Sequence, residues 1–131
     1  MISIQGLRKS YGVHDLFRGI DLSVARKEVL VLIGPSGSGK STFLRCINGL
    51  EPFHGGSVTV DGITVKPEDV RRPDCTAGDA VRRVRLKVGM VFQQFNLFPH
   101  MTSLENIIEA PVQVLGVSRE QAVAEAKALL E

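Results

Sequence analysis

Near the start of the chain, apolar positions recur with a period close to two. Ile2 and Ile4, with Leu7 beyond them, mark the buried side of a strand over residues 2–8. Tyr11-Gly12 ends it with a turn. Leu16-Phe17 and Ile20-Asp21-Leu22-Ser23-Val24 read as two further extended pieces, and the alternation in the second fits an antiparallel sheet with one wet face. Val29-Leu30-Val31-Leu32-Ile33 has no alternation; a continuous, β-branched-rich run predicts a central strand buried on both faces, as in a parallel sheet. From Lys40 the period changes. Phe43, Ile47 and Leu50 fall at i, i+4 and i+7, which predicts a helix over 40–50, stopped by Pro52 and Gly55-Gly56. Ser57-Val58-Thr59-Val60 and Ile63-Thr64-Val65 flank Asp61-Gly62, a type I′ hairpin signal. Residues 66–80 carry Pro67, Pro73, Gly78 and many charges and read as an irregular surface insertion. Val88-Gly89-Met90-Val91-Phe92 predicts another short strand. Thr102 and Glu105 form a capping box that opens a helix ended by Pro111. Ser118 and Gln121 suggest a second box, and its helix, with Ala122, Ala126, Leu129 and Leu130 on one face, runs into Glu131 without Gly, Pro or a basic cap.

Composition narrows the class. With 131 residues, 44% of them hydrophobic and 23% charged, one domain with a real core is expected rather than a disordered polymer. Sixteen basic against 14 acidic residues give +2, too small an excess to argue for nucleic acid or an anionic membrane. The run 29–33 is far short of the ~20 apolar residues that span a bilayer, and the N-terminus lacks the basic head and apolar stretch of a signal peptide. Cys46 and Cys75 show no metal-ligand spacing, which suggests a reducing cytosolic setting and no zinc site. His14, His54 and His100 are scattered. Arg71, Arg72, Arg82, Arg83, Arg85 and Lys87 are interleaved with Glu68, Asp69, Asp74 and Asp79 and lack aromatics, so they read as a solvated surface.

The chemistry concentrates between the predicted central strand and the first helix. Gly34-Pro35-Ser36-Gly37-Ser38-Gly39-Lys40-Ser41 matches G-x-x-x-x-G-K-[ST] at every fixed position. Glycines let the backbone curl so that successive N–H groups face phosphate oxygens. The helix N-terminus adds free amides and a positive dipole end. Lys40 supplies an ammonium for the β- and γ-phosphates, and the Ser41 hydroxyl is a Mg²⁺ ligand. A nucleoside triphosphate with Mg²⁺ is the expected ligand. Thr42 lies beside the motif.

Residues 34–42 (Gly-Pro-Ser-Gly-Ser-Gly-Lys-Ser-Thr), with Tyr11 ahead of them and Val91-Phe92-Gln93-Gln94 behind, resemble the ATP-binding subunit of ABC transporters. Phe92 through Thr102, Leu104-Glu105-Asn106 and Glu109-Ala110-Pro111-Val112 look like the polar amino-acid uptake branch. The resemblance implies an α/β phosphate-loop NTPase core with an antiparallel β-subdomain. It implies that Gly34 through Thr42 bind the nucleotide, that Tyr11 stacks on adenine, that Lys40 and Gln93 take part in catalysis, and that Ser41 and Gln93 reach Mg²⁺. It further implies a transmembrane permease subunit as partner, a homodimer of the full-length ATPase, no nucleic acid, and a place at the cytoplasmic face of the inner membrane; the apolar stretch of Phe95, Leu97, Phe98 and Met101 fits docking to that permease and equally burial beneath the helical subdomain. Lys27 departs from the family, which usually has Gly before the residue matched by Glu28; this bears on the local turn.

The family also hydrolyses ATP with an apolar strand ending in Asp-Glu, a Leu-Ser-Gly-Gly-Gln signature and a late histidine. None is present here, since Asp61 is a turn residue before Gly62 and no Ser-Gly-Gly occurs. The expectation is the N-terminal portion of such a domain. Residues 1–92 would be the nucleotide-binding core and β-subdomain, and 93–131 the Q-loop and start of the helical subdomain. Such a chain would bind ATP but hydrolyse it negligibly. Two alternatives remain open from the residues: a small phosphate-loop kinase, which phosphotransfer to an acceptor would reveal, and a non-catalytic nucleotide-binding interaction module.

Overall fold

The computed structural model describes residues 1–71 and 79–130. The part of the predicted insertion at 72–78, with Cys75, Arg72, Asp74 and Gly78, and Glu131 at the end lie outside the described residues. The described chain forms two compact units, Met1–Gly89 and Met90–Glu131.

The first unit is built on a four-stranded antiparallel sheet in the order β2-β1-β3-β4, from β1 (Ile2–Tyr11), β2 (His14–Val24), β3 (Gly55–Val60) and β4 (Ile63–Val65). The two extended pieces expected at 16–17 and 20–24 are one strand. Ile4 and Leu7 are both buried although they stand three positions apart, and the reason is that β1 shifts register here, between Ile4 and Leu7 against β2 and between Gln5 and Arg8 against β3. Gly6 sits in the shifted stretch with φ +57°. Opposite it, Gly56 has φ +82°, and a Cβ there would collide with the carbonyl oxygens of Gln5 and Gly6. The β3–β4 turn is as predicted: Asp61 and Gly62 both have positive φ, as a type I′ turn requires.

One side of this sheet is covered by α1 (Lys40–Ile47), which presents Phe43, Cys46 and Ile47 to the core. Phe43 meets Phe17 of β2 edge to face, with centroids 5.8 Å apart. The helix is shorter than the predicted 40–50, and Leu50 is exposed. Asn48 is the C-cap and Gly49 follows with φ +69°, a left-handed exit that ends the helix before Leu50 can join its stripe. The supposed insertion over 66–80 opens with a short helix, α2 (Pro67–Val70), and a second, α3 (Ala80–Arg85), begins at its last residue. Asp79 caps α3, and Val81 and Val84 are fully buried while Arg82 and Arg83 stay in solvent. Arg85 is more than a solvated charge: its guanidinium donates to the Asn48 and Gly49 carbonyls at the end of α1.

Two expectations are corrected. Val29–Ile33 is not a strand, and Val29, Val31 and Ile33 are exposed. Val88–Phe92 is likewise not a strand, and Val91 is exposed. A continuous apolar run encodes burial on both faces but needs ladder partners on its edges. None of the four strands in the described sheet pairs with either segment.

Lys27 occupies the left-handed region with φ 64°. The turn keeps a glycine-like backbone although the residue is lysine, and it is closed by the Ala25 amide donating to the Glu28 carboxylate at 2.6 Å. Left-handed backbone costs a non-glycine residue about 1–2 kcal/mol, partly offset by the flexibility a glycine loses on folding. Lys27→Gly is therefore expected to stabilise the protein by about 0.5–1 kcal/mol. A denaturation midpoint that stays put or falls would show that the conformation is not strained.

The second unit packs α4 (Ser103–Gln113) on α5 (Arg119–Leu130) through Ile108, Ala122 and Ala126. The capping box at its start is complete: the Glu105 amide donates to Thr102 Oγ1, and the Thr102 amide donates to the Glu105 carboxylate. The Thr102 amide, and then the Thr102 hydroxyl, donate to the Glu105 carboxylate and hold it below its usual value. Pro111 does not stop α4, which continues to Gln113. Proline there removes its own bond to the Ile107 carbonyl and crowds that oxygen, yet the helix carries on past it, and the chain leaves later through Gly116 at φ +70°. The second box is half made. Ser118 accepts from the Gln121 amide, but the Gln121 side chain turns to Glu125. Leu129 and Leu130 are exposed.

Candidate nucleotide site

The phosphate loop leaves the exposed 29–33 segment and enters α1. Gly37 (φ +81°) and Gly39 (φ +91°) supply the left-handed backbone that curls it. At Gly39 a Cβ would stand 3.0 Å from the Phe17 ring and 3.1 Å from Leu16, so the loop's last turn lies directly against β2. The Lys40 ammonium folds back across the loop and donates to the Gly34 and Pro35 carbonyls, each at 2.8 Å, and to Ser38 Oγ at 3.3 Å. The amides of Lys40, Ser41 and Thr42, in the first turn of α1, have no carbonyl partner within the helix. One cation and a cluster of outward amides thus converge on one mouth, which is the chemistry of a polyphosphate site.

Beside the loop lies a cavity of about 380 Å³ lined by Phe17, Ile20, Leu22, Leu32, Phe43 and loop residues including Pro35, Ser38 and Lys40. Its walls are apolar on the sheet side and polar on the loop side. Ser36 and Gly37 complete the loop on the exposed side, and Ser41 is exposed at the helix start. Magnesium keeps several waters and is usually held by one or two carboxylates with phosphate oxygens; at this loop the motif supplies the Ser41 hydroxyl as an oxygen donor. Among the described residues there is no group of three His, Cys, Asp or Glu able to hold a metal.

Tyr11 ends β1, half-exposed, and does not line the loop-side cavity. Its hydroxyl donates to Glu51 Oε1 at 2.8 Å, and the Lys9 ammonium lies 4.4 Å from its ring centroid. Lys9, only 3% exposed, also donates to Glu51 Oε1 at 2.6 Å and to the Pro52 carbonyl at 2.7 Å. The Lys9 bond first, and then the Tyr11 bond, hold the Glu51 carboxyl below its ordinary value. The residue pattern overlooks both partners. Lys9 stands two positions from buried Leu7 on the same strand face, a place where a lysine must find a counter-charge, yet that partner is 42 residues away.

Gln93 belongs to the second unit and is exposed in a turn where the Phe95 amide donates to the Phe92 carbonyl. Phe95 (φ 58°) and Asn96 (φ 52°) are both left-handed, and Phe95, Leu97 and Phe98 are exposed. Asn106 pins this segment, accepting from the Phe98 amide and donating to the Phe98, Met101 and Thr102 carbonyls. Cys46 is inert packing, since burial pushes its thiol up to about 11.

Residues 17–131 match the ABC transporter family. The chain is 46% identical over 128 residues to the arginine/ornithine transport ATP-binding protein AotP of Pseudomonas aeruginosa, covering 96% of this chain and 50% of that protein. It is 45% identical over 130 residues to the glutamine transport ATP-binding protein GlnQ of Escherichia coli, covering 99% of this chain and 50% of that one. The chain thus spans about half the length of these curated relatives. Among solved structures, the dimeric post-hydrolysis state of the ATP-binding cassette MJ0796 bound to ADP and Pi aligns with a TM-score of 0.77 at 30% identity, over 98% of this chain and 55% of that one. The phosphate loop, α1 and the β3–β4 hairpin all lie within the matched span, and the chain belongs to the ABC transporter family.

Proposed function

We propose that this chain forms the ATP-binding part of a subunit that couples ATP to amino-acid uptake. The observation that carries the reading is the Lys40 ammonium placed over the Gly34, Pro35 and Ser38 oxygens at the amide-rich start of α1. The names of the relatives, which transport arginine, ornithine and glutamine, support the choice of solute class. In this reading Gly34 through Thr42 wrap the phosphates and Lys40 neutralises charge on the terminal ones. Ser41 holds Mg²⁺, which when bound neutralises charge between phosphate oxygens. Tyr11 offers its ring to adenine. Gln93 orients water beside the terminal phosphate, and its uncharged amide can turn away when the nucleotide leaves.

The partners in this reading are a transmembrane permease, met by the apolar residues from Phe95 to Met101, and a second ATPase subunit. Nucleic acid is not among them. No helix among the described residues is long and apolar enough to cross a membrane. The place we propose is the cytoplasmic face of the inner membrane, held there through the permease. Functionally, 1–92 would form the nucleotide core and β-subdomain and 93–131 the Q-loop with the first helical segments. These 131 residues are proposed to bind ATP with negligible hydrolysis, because no apolar strand ends in Asp-Glu.

Calorimetric titration with Mg²⁺ and ATP, ADP, AMP or adenosine tests this. Affinity should fall in that order, by roughly tenfold or more between ATP and adenosine, since the charged contacts are all to phosphate. Adenosine binding as tightly as ATP, or no binding of ATP at all, would remove the reading. Sustained phosphate release by the pure chain would overturn the hydrolysis half of it.

A further inference from the structure

We propose that Lys9 and Glu51 are positioning residues that hold the Tyr11 ring as a one-faced platform for the base of the nucleotide. This inference rests on the reading of Tyr11 as the adenine-stacking side chain.

The geometry restrains the ring at two places. Lys9 and Tyr11 are two apart at the end of β1, and the Lys9 ammonium lies over the ring, 4.4 Å from its centroid. The Tyr11 hydroxyl donates to Glu51 Oε1, the same oxygen that accepts from Lys9. Lys9 cannot easily leave, because it is buried and has a second acceptor in the Pro52 carbonyl. One ring face is therefore taken by a cation, the hydroxyl is tied down, and the half-exposed remainder is left for a flat partner. An exposed tyrosine would otherwise lose its side-chain freedom on stacking, and the carboxylate and ammonium meet that cost beforehand.

Glu51 also links the platform to the phosphate loop. Its own amide donates to the Arg45 carbonyl at 3.0 Å as the chain leaves α1, the helix that Lys40 opens at its other end. One rigid element thus places both the phosphate-binding amides and the group that fixes the base-binding ring.

Tyr11 is the sole tyrosine and the chain has no tryptophan, so tyrosine emission reports on this ring alone. The test uses the whole chain, with ATP and inorganic triphosphate as the two probes. A carboxylate accepting from the phenol quenches emission, so Glu51→Gln should raise it. The same variant should weaken ATP binding by roughly 3- to 10-fold more than it weakens triphosphate binding, the equivalent of one side chain left to be ordered. Tyr11→Phe, which keeps the ring and the Lys9–Glu51 pair, should show a loss of the same kind, and it serves should Glu51→Gln fail to fold. Equal losses for both probes, or unchanged emission in Glu51→Gln, would reduce Lys9 and Glu51 to a structural pair and overturn the proposal. Should Tyr11→Ala bind ATP as well as the parent chain does, the stacking reading itself fails. A parent chain that binds neither probe fails the nucleotide reading, and the proposal falls with it.

Discussion

Gly56→Ala should unfold a large fraction of the protein. Two costs combine at this position. The backbone has φ +82°, which costs a non-glycine residue about 1–2 kcal/mol. The new methyl would also collide with the Gln5 and Gly6 carbonyl oxygens across the β1–β3 ladder. These are main-chain atoms and cannot rotate away, so the sheet must open where β1 is already shifted in register. Overpacking of this kind costs about 1–3 kcal/mol, giving a total of about 2–5 kcal/mol, whose upper end reaches the entire stability of a marginal small domain. Gly62 is the internal control. It has nearly the same φ, +81°, but nothing stands within 4 Å of where its Cβ would be. Gly62→Ala should therefore pay only the backbone part. Chemical denaturation followed by circular dichroism compares the two. Equal midpoints for the variants would mean that the strands do not approach as closely as described here.

The contrast between Gly56 and Gly62 also marks where sequence reasoning succeeds. Asp61-Gly62 announced its turn because a type I′ turn needs two left-handed residues in succession, a demand met within one dipeptide. Thr102 and Glu105 announced a helix start for the same reason: both halves of the box lie within one turn. The phosphate loop is local too, since its glycines, its lysine and the helix dipole are consecutive. Gly56 looked like a helix stop. Its true role depends on Gln5 and Gly6, about fifty residues earlier, and no period in the chain encodes that approach.

Long-range pairing is what the pattern leaves out. The bulge that lets Ile4 and Leu7 share a core is invisible to a two-residue period. Helix α3 is carried by Asp79, Val81 and Val84 inside a stretch dominated by arginine, and charge outweighed a three-residue apolar spacing. The Lys9–Glu51–Tyr11 cluster joins the end of β1 to the chain just after α1, 40 residues or more along the sequence. Val29–Ile33 shows the reverse failure. Its composition speaks plainly of burial, but burial is a property of neighbours, and the described sheet provides none for it.

Lys40→Ala should weaken binding of ATP with Mg²⁺ by roughly 10- to 150-fold, the range expected for losing about 1.5–3 kcal/mol of charge-assisted hydrogen bonding. The variant should fold normally. The groups that accept from Lys40 are the Gly34 and Pro35 carbonyls and the Ser38 hydroxyl, all on the exposed loop, so water replaces the lost bonds and stability should change by no more than about 0.5 kcal/mol. Lys40→Arg separates charge from shape. Its guanidinium keeps the positive charge but is planar and wider, whereas the present geometry suits a compact ammonium that donates in three directions at once. Arginine should therefore recover only part of the affinity. Titration calorimetry on the three proteins, with melting curves on the same samples, provides both readouts. Binding by Lys40→Ala within twofold of the parent chain, with the fold intact, would mean that the ammonium at the mouth of the loop serves the loop's own conformation and contributes little to holding phosphate.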